Sequence, residues 1–228
     1  MLSAKSAVVN IRSVRFVLLV ITFVTISILV QSNTANIFDL STITSIVNVR
    51  NTLTDIVMIV ITTSSDLFPI YFSPIIIFSF IFIIKKKTRR IGSILLLAIV
   101  LSTLATTYVK ELVERERPTS YEFRPDLGFD YKPQQDVKSR FASSFPSGHA
   151  ARSAAFALIV SFMIRNRTVF GIPAGILMWI FPASVAFSRV YLGVHYATDV
   201  IAGVLLGIII ANVLSRILKL EAEKQLRM

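Results

Sequence analysis

The residues best suited to chemistry lie in one short stretch, Ser188–Asp199, between two apolar runs. His195 and Asp199 are four residues apart and would share one face of a helix that starts near Gly193. In that arrangement the carboxylate holds one imidazole nitrogen while the other points outward, as in a nucleophile or base with its orienting partner. The chain has only one other histidine, His149, so we expect both rings to be used.

Three cations in the sequence point to an anionic substrate. Lys110 and Arg117 are seven residues apart, or two helical turns, and should face the same way at a helix end. Arg189 lies in the same stretch as His195. Each cation taken alone could simply extend to the membrane surface. Three cations at the level of two histidines instead favour a tetrahedral dianion such as phosphate.

A helix start is expected at Pro146–His149. The unpaired backbone N–H groups of a first helical turn favour an anion, and Gly148 would let the backbone come close to it. The same residues taken alone are equally consistent with a simple turn. With two imidazoles at the site, one can attack phosphorus while the other, protonated, delivers a proton to the leaving oxygen.

No metal or other cofactor is expected. The sequence has no cluster of carboxylates suited to magnesium or calcium. Two histidines and one aspartate are few for catalytic zinc, which Lys110, Arg117 and Arg189 would also repel. The chain has no cysteine, which excludes disulfides and thiolate ligands. The reaction should therefore be metal-independent.

The composition indicates an integral membrane protein. Of 228 residues, 54% are hydrophobic and 16% are charged, with a mean hydropathy of +0.71, whereas a soluble domain has about a quarter charged residues. The net charge of +11 could suggest nucleic acid, but the basic residues cluster beside apolar runs, which favours anionic lipid headgroups. We expect a single domain, residues 1–228, that binds membrane lipids and no nucleic acid.

The apolar runs predict an all-α fold, a polytopic membrane bundle of six transmembrane helices. The expected spans are residues 16–30, 67–84, 91–109, 149–164, 170–187 and 195–218. Residues 1–35 would hold the N-terminal transmembrane helix, for which a signal peptide is the alternative. Residues 36–220 would form the catalytic core and 221–228 a cytoplasmic tail. Residues 36–51 favour an amphipathic helix in the membrane interface, and 119–145 an extracytoplasmic active-site loop.

The basic residues between the spans set the expected orientation. Under the positive-inside rule, the turns at 85–90 and 165–167 stay in the cytoplasm, as do both termini. Lys110, His149 and His195 would then meet at the extracytoplasmic face of the cell membrane.

A few further charged residues have alternative roles. Asp66, beside a membrane segment, could be functional, but we expect Asp66 or Ser65 to cap the helix that follows. Arg115 and Arg152 are additional arginines near the site. Arg152, one turn past His149, could support it, but an ion pair with a loop carboxylate is the favoured interpretation.

At these residues the sequence resembles the type 2 phosphatidic acid phosphatase superfamily, integral-membrane lipid phosphate phosphatases related to vanadium haloperoxidases and glucose-6-phosphatase. The family motifs are Lys-x6-Arg-Pro, Pro-Ser-Gly-His and Ser-Arg-x5-His-x3-Asp. All three are present without a departure, in Lys110–Pro118, Pro146–His149 and Ser188–Asp199. With their order and the six expected spans, the resemblance covers most of the chain from about Ile37 onward.

The resemblance implies a phosphohistidine mechanism. His195 would be the nucleophile, oriented by Asp199, and His149 the general acid that protonates the leaving group. The phosphoryl oxygens would be bound by Lys110, Arg117, Ser147, Gly148 and Arg189. The implied substrates are lipid phosphates or polyprenyl diphosphates, such as phosphatidic acid, phosphatidylglycerophosphate or undecaprenyl diphosphate.

Two other functions stay open. A phosphotransferase on the same fold would pass the phosphoryl group to an alcohol rather than to water. A transporter or non-catalytic lipid-phosphate carrier would use the basic site without chemistry, although the sequence lacks the paired inverted repeats with broken helices typical of transporters. The sequence predicts neither the lipid nor the oligomeric state.

Overall fold

The computed structural model describes residues 13–47, 51–67, 73–118 and 143–218. Within them the fold is mostly helical, as predicted, with one short antiparallel hairpin between the sixth and seventh helices. The elements are α1 (Val14–Gln31), α2 (Asn36–Val47), α3 (Thr52–Thr63), α4 (Pro74–Ile84), α5 (Arg89–Val113), α6 (Gly148–Met163), β1 (Thr168–Val169), β2 (Ile172–Pro173), α7 (Ala174–Leu177), α8 (Ile180–Tyr191) and α9 (Ala197–Ile217).

Four stretches in the described part of the chain are long and apolar enough to cross a membrane. They are α1, α5, α9 and Ala174–Tyr191, which comprises α7 and α8. The helices α3, α4 and α6 are also apolar but shorter. Most of α1 is exposed on the outside of the fold, and an apolar helix with exposed side chains is suited to contact with lipid.

The predicted helix over residues 67–84 is wrong at its start. The helix α4 begins at Pro74, with Ser73 at its N-cap. Proline suits the first helical position because no N–H is needed there, while it disfavours helix in the residue that precedes it. Asp66 and Ser65 therefore do not cap α4, and the carboxylate of Asp66 has another partner, described below.

The helix expected in residues 36–51 is present as α2. Its buried side carries Asp39 and Ile43, four residues apart, whereas Ile37 and Leu40 are exposed. The apolar residues thus do not form one protein-facing stripe, and a buried carboxylate lies at the contact with the rest of the fold. The location of α2 in the membrane interface stays a prediction.

The span expected at residues 170–187 also starts later. Residues 168–173 form the hairpin, whose two central residues, Phe170 and Gly171, both have positive φ, as a tight two-residue turn requires. The helical stretch then runs from Ala174 to Tyr191, with Pro182 in the first turn of α8, where a proline is tolerated.

The pair α6 and α9 forms the centre of the fold. A side chain on Gly207 would begin 2.1 Å from the carbonyl oxygen of Ala151, and one on Gly203 would begin 2.4 Å from that of Ser147. Both distances are shorter than any normal contact, so only glycine lets the two backbones approach. As a result the starts of both helices are adjacent, and the N–H of Ser147 donates to the carbonyl oxygen of Asp199 at 2.9 Å.

Candidate active site

The three motif segments meet at one pocket with a volume of about 530 Å³. Its walls are the end of α5, the start of α6, the segment that follows α3, and the turns after α5 and α8. Six of the eight predicted site residues line it, namely Lys110, Arg117, Gly148, His149, Arg189 and His195. The other two, Ser147 and Asp199, are completely buried beside them. The expected convergence of the three motifs is therefore present.

The charge of the pocket is suited to an anion. Four of its lining residues are cationic, Lys110, Arg117, Arg152 and Arg189, and Asp66 is the one carboxylate among the lining residues described. The N-terminus of α6 opens into the same space, where its first N–H groups are not used by the helix itself. A phosphoryl group would meet positive potential from several sides.

His195 lies against Asp199, but not in the way predicted. The helix α9 begins at Ala197, and Gly193 instead turns the chain after α8, with φ of +66°. Nδ1 of His195 is 3.4 Å from Oδ2 of Asp199, and the same oxygen accepts from the N–H of Tyr196 at 2.9 Å. The carboxylate therefore faces one ring nitrogen from the first turn of α9.

The surroundings of His195 keep its ring neutral. The side chain is 2% exposed, and burial together with Arg117, Arg189 and Lys110 lowers the pKa of His195 well below its ordinary value, against a smaller opposite effect from the Ser144 carbonyl. A neutral imidazole has a free lone pair, so this ring is in the nucleophilic form at neutral pH.

Lys110 and Arg117 converge by a different route from the one predicted. They do not share a helix face, because α5 ends at Val113 and Glu114 adopts a left-handed conformation with φ of +48°. The turn at Glu114 redirects the chain so that Arg117 reaches the pocket and donates to the carbonyl oxygen of Val194 at 3.1 Å. The ammonium group of Lys110 donates to the carbonyl oxygens of Ser143 and Ser144.

The Pro-Ser-Gly-His segment opens α6, as predicted. Ser147 is the N-cap, and its Oγ is buried without a hydrogen-bond partner among the described residues. A side chain on Gly148 would begin 3.1 Å from Nη1 of Arg152 and 3.5 Å from Oγ1 of Thr106, both of which line the pocket. Glycine thus keeps the backbone of α6 open to a ligand.

Arg189 extends from the last turn of α8 into the pocket. It is 9% exposed, and its Nη1 donates to Oγ1 of Thr62 at 3.0 Å, on α3. This contact joins two helices that are far apart in sequence and fixes the guanidinium beside His195.

Asp66, which was expected to cap the helix that follows, instead lines the pocket beside His149. Its Oδ1 is hydrogen-bonded to Nε2 of His149, and the carboxylate lines the pocket. Burial raises the pKa of Asp66, while Arg189 and Arg152 act in the opposite direction. The signal was present in the sequence as an acidic residue next to a membrane segment, but its partner lies 83 residues away.

Arg152 is part of the pocket wall. It is 6% exposed, and its Nε and Nη2 donate to the carbonyl oxygen of Ser65 at 3.1 Å and 3.0 Å. This double contact holds the segment that carries Asp66 against α6. The predicted ion pair with a carboxylate of the 119–145 loop falls mostly outside the described residues and stays a prediction.

The three motifs lie within a region that is similar to known proteins. The profile described as PAP2 superfamily matches residues 92–222, which include all three motifs. The chain is 30% identical over 146 residues to the lipid A 4'-phosphatase of Porphyromonas gingivalis, covering 60% of this chain and 56% of that protein. It is 33% identical over 129 residues to the undecaprenyl-diphosphatase of Sulfolobus acidocaldarius, covering 55% and 54%. The chain spans little more than half the length of these curated relatives.

The fold has a counterpart among solved structures. The crystal structure of a transmembrane PAP2 type phosphatidylglycerolphosphate phosphatase from Bacillus subtilis superposes with a TM-score of 0.68 at 25% identity, covering 88% of this chain and 94% of that one. The profile match extends over more than half of the 228 residues. This chain, a mostly helical membrane protein, therefore belongs to the PAP2 superfamily.

Proposed function

We propose that this protein is a phosphatase that hydrolyses a lipid phosphate or a polyprenyl diphosphate through a phosphohistidine intermediate on His195. The observation that carries the proposal is that two histidines and four cationic side chains line the same pocket. The family relatives named above are phosphatases of lipids. The substrates of these relatives define the class of molecule to test.

In the first step, Nε2 of His195 attacks phosphorus, because Nδ1 faces Asp199. The N–P bond forms as the bond from phosphorus to the leaving oxygen breaks, and His149 gives its proton to that oxygen. Asp199 stabilises the positive charge that develops on the ring of His195. The cations around the pocket stabilise the negative charge on the phosphoryl oxygens, which should be the largest contribution to the rate.

In the second step, water attacks the phosphorus of the phosphohistidine. His149, now neutral, takes a proton from the water, and the N–P bond breaks to return His195 to its starting form. Ser147 and Gly148 bind the phosphoryl oxygens in both steps, through the hydroxyl group and the backbone N–H groups at the start of α6.

The size of the pocket limits what it can hold. A volume of about 530 Å³ is within the range of small-molecule sites of about 300–1,000 Å³, which is enough for a phosphorylated headgroup but not for long acyl or prenyl chains. The outward face of α5 carries exposed Leu97, Leu101, Leu104 and Tyr108. We propose that the substrate tail lies in the membrane beside such faces, while the headgroup enters the pocket.

We propose that the pocket opens on the extracytoplasmic side of the cell membrane. The basic segment 85–90 lies at the start of α5, and Lys110 lies near the other end of that helix. In the same way α6 starts at the pocket and ends before Arg165 and Arg167. The positive-inside rule assigns these basic turns to the cytoplasm. Six crossings with both termini inside would need α4 and α6, although shorter, to cross as well.

The proposed function is tested by phosphate release from the purified protein in detergent. We expect release of inorganic phosphate from at least one of phosphatidic acid, phosphatidylglycerophosphate and undecaprenyl diphosphate. The rate should be unchanged by excess EDTA, because four cations line the pocket and the described residues hold no carboxylate cluster for a metal ion, and vanadate should inhibit it. A metal requirement, or no release from any of these lipids, would contradict the proposal. Intact lipid phosphate accumulating in sealed vesicles without phosphate release would favour the carrier.

In Asp66→Asn, activity should begin to fall at a lower alkaline pH than in the wild type. The carboxylate stabilises the protonated ring of His149, the form that acts as the acid, so its loss should move the alkaline limb of kcat to lower pH. A hydrogen bond to a charged group is worth about 1.5–3 kcal/mol, so we expect activity on the alkaline side of the profile to fall about 10- to 100-fold.

The comparison variant for this measurement is Asp55→Asn, which removes a buried carboxylate from α3 that does not line the pocket. It should keep the wild-type pH profile. An unchanged alkaline limb in Asp66→Asn would show that Asp66 does not act on His149.

A further inference from the structure

Behind His195 lies a buried chain of alternating charges, of which the proposed mechanism uses only Asp199. Nη1 of Arg115 is 2.7 Å from Oδ1 of Asp199, and Nη2 of the same guanidinium is 2.7 Å from Oδ2 of Asp39. Both carboxylates are completely buried, and the side chain of Arg115 is 9% exposed. Arg115 thus joins α2 to Asp199, the carboxylate that faces His195.

Asp39 makes a second connection to the start of α9. Its Oδ1 accepts from the N–H of Thr198 at 3.0 Å, and its Oδ2 accepts from Oγ1 of Thr198 at 2.6 Å. The hydroxyl group of Thr198 also accepts from Nη1 of Arg115 at 2.8 Å. A carboxylate at a helix N-terminus is favourable for the exposed N–H groups and the helix dipole. Asp39 therefore holds both Arg115 and the first turn of α9.

Arg115 is not one of the phosphate-facing cations. It does not line the pocket, in contrast to Arg117 two residues later. Its guanidinium is covered by the ring of Tyr196, 4.0 Å from the ring centroid. Although burial acts in the opposite direction, Asp199 and Asp39 raise the pKa of Arg115. Its charge is thus directed away from a substrate and towards the two carboxylates.

The balance of charge in this group affects His195. With only Arg115 and Asp199, the cation would cancel the carboxylate that must stabilise the ring as it becomes positive. With Asp39 included, the three side chains carry one net negative charge. Asp39 therefore allows Arg115 to hold Asp199 in place without removing its electrostatic effect on His195.

We propose that Asp39 and Arg115 are positioning residues that act as a charge-balanced clamp, fixing the orientation of Asp199 while keeping one net negative charge beside His195. This extends the proposed function, because His195 is its nucleophile. It also assigns a role in the site to α2, which lies outside the part of the chain matched by the family profile.

The test uses variants whose effects on His195 have opposite signs. Arg115→Gln leaves two carboxylates and should favour the protonated ring, raising the titration midpoint of His195. Asp39→Asn leaves one cation and one carboxylate and should lower the midpoint. The double variant again carries one net negative charge and should return towards the wild-type midpoint. Each single shift should be on the order of one pH unit, for a charge acting across several ångströms of buried protein.

The other charged and titratable groups that line the pocket with His195 are the same in all these variants. They are Lys110 at the end of α5, Arg117 after it, Asp66 after α3, His149 and Arg152 on α6, and Arg189 on α8. Differences in the titration midpoint of His195 between the variants are therefore due to Asp39 and Arg115.

The midpoint can be measured without activity, by NMR of protein labelled at histidine. The chain has only two histidines, so the spectrum of a His149→Asn variant assigns the signal of His195. In parallel, the acid limb of kcat/KM should move in the same directions. Far-UV circular dichroism and thermal unfolding would establish that each variant is folded.

The proposed clamp would be wrong if both single variants shifted the titration midpoint of His195 in the same direction. It would also be wrong if folded variants showed no shift in that midpoint. Failure of the proposed function would look different, as a wild-type protein without phosphatase activity whose His195 signal still responds with opposite signs. If Arg115→Gln or Asp39→Asn does not fold, Arg115→Lys provides another test. It retains the positive charge and should keep the titration midpoint of His195 near that of the wild type. A midpoint displaced as far as expected for Arg115→Gln would then contradict the role of charge.

Discussion

Replacement of His195 by glutamine should lower phosphate release by roughly four orders of magnitude or more, as is seen when a covalent nucleophile is removed. Glutamine is close in size and polar, but the lone pair of its amide nitrogen is delocalised into the carbonyl group and cannot attack phosphorus. The cations would still bind the phosphoryl group, so KM or the vanadate affinity should change much less than kcat.

The decisive measurement for this variant is trapping of the intermediate. Wild-type protein mixed with substrate labelled at phosphorus and quenched in alkali should retain acid-labile label on His195, since phosphohistidine is stable in base and hydrolysed in acid. His195→Gln should retain none. Label on another residue, or activity near that of the wild type, would exclude His195 as the nucleophile.

The environment of His195 also predicts how the wild-type activity depends on pH in acidic solution. The attacking form is the neutral ring, and burial with the neighbouring cations Arg117 and Arg189 lowers the pKa of His195. The acid limb of kcat/KM should therefore lie below the ordinary histidine value of about 6.5, with activity kept in mildly acidic solution.

His149→Asn should lower kcat for a lipid phosphate by about 10²- to 10⁴-fold, the usual contribution of general acid catalysis. The leaving alcohol or phosphate needs a proton, which asparagine cannot supply. With p-nitrophenyl phosphate, whose leaving group departs without a proton, the first step should be nearly unaffected. The second step still lacks its base, so we expect a burst of p-nitrophenol equal to the enzyme concentration, followed by slow turnover.

Stopped-flow absorbance resolves the burst and the slow phase in one experiment. His195→Gln is the matched control, since it should show no burst with the same substrate. An equal loss in the burst rate for both kinds of leaving group would mean that His149 only positions the substrate, and the assignment of the acid would be wrong.

Much of the site could be predicted because its chemistry depends on residue types in short motifs. The two histidines, Asp199 and the cations are identifiable from their spacing, and a helix start at Gly148 follows from Pro-Ser-Gly-His. The membrane character follows from composition alone. Local patterns are readable in this way because they depend on neighbours within one turn or one helix.

Element boundaries near proline and glycine were harder to predict. Pro74 starts α4 rather than lying within a longer helix, and Gly193 ends the turn after α8 rather than starting α9. The left-handed conformation of Glu114 was not foreseeable either, since nothing in its residue type favours it. It directs Arg117 to the pocket where a continuous helix would not.

Composition and short motifs establish the membrane class of this protein, its family motifs and the kinds of side chain available for phosphate chemistry. The pairing of the buried charges, in contrast, depends on the tertiary structure. Asp66 meets His149 across 83 residues and Asp39 meets Arg115 across 76. Such pairs depend on how α2, the segment after α3, α6 and α9 pack together. A buried charge must find its partner in space, and spacing along the chain carries no information about that distance.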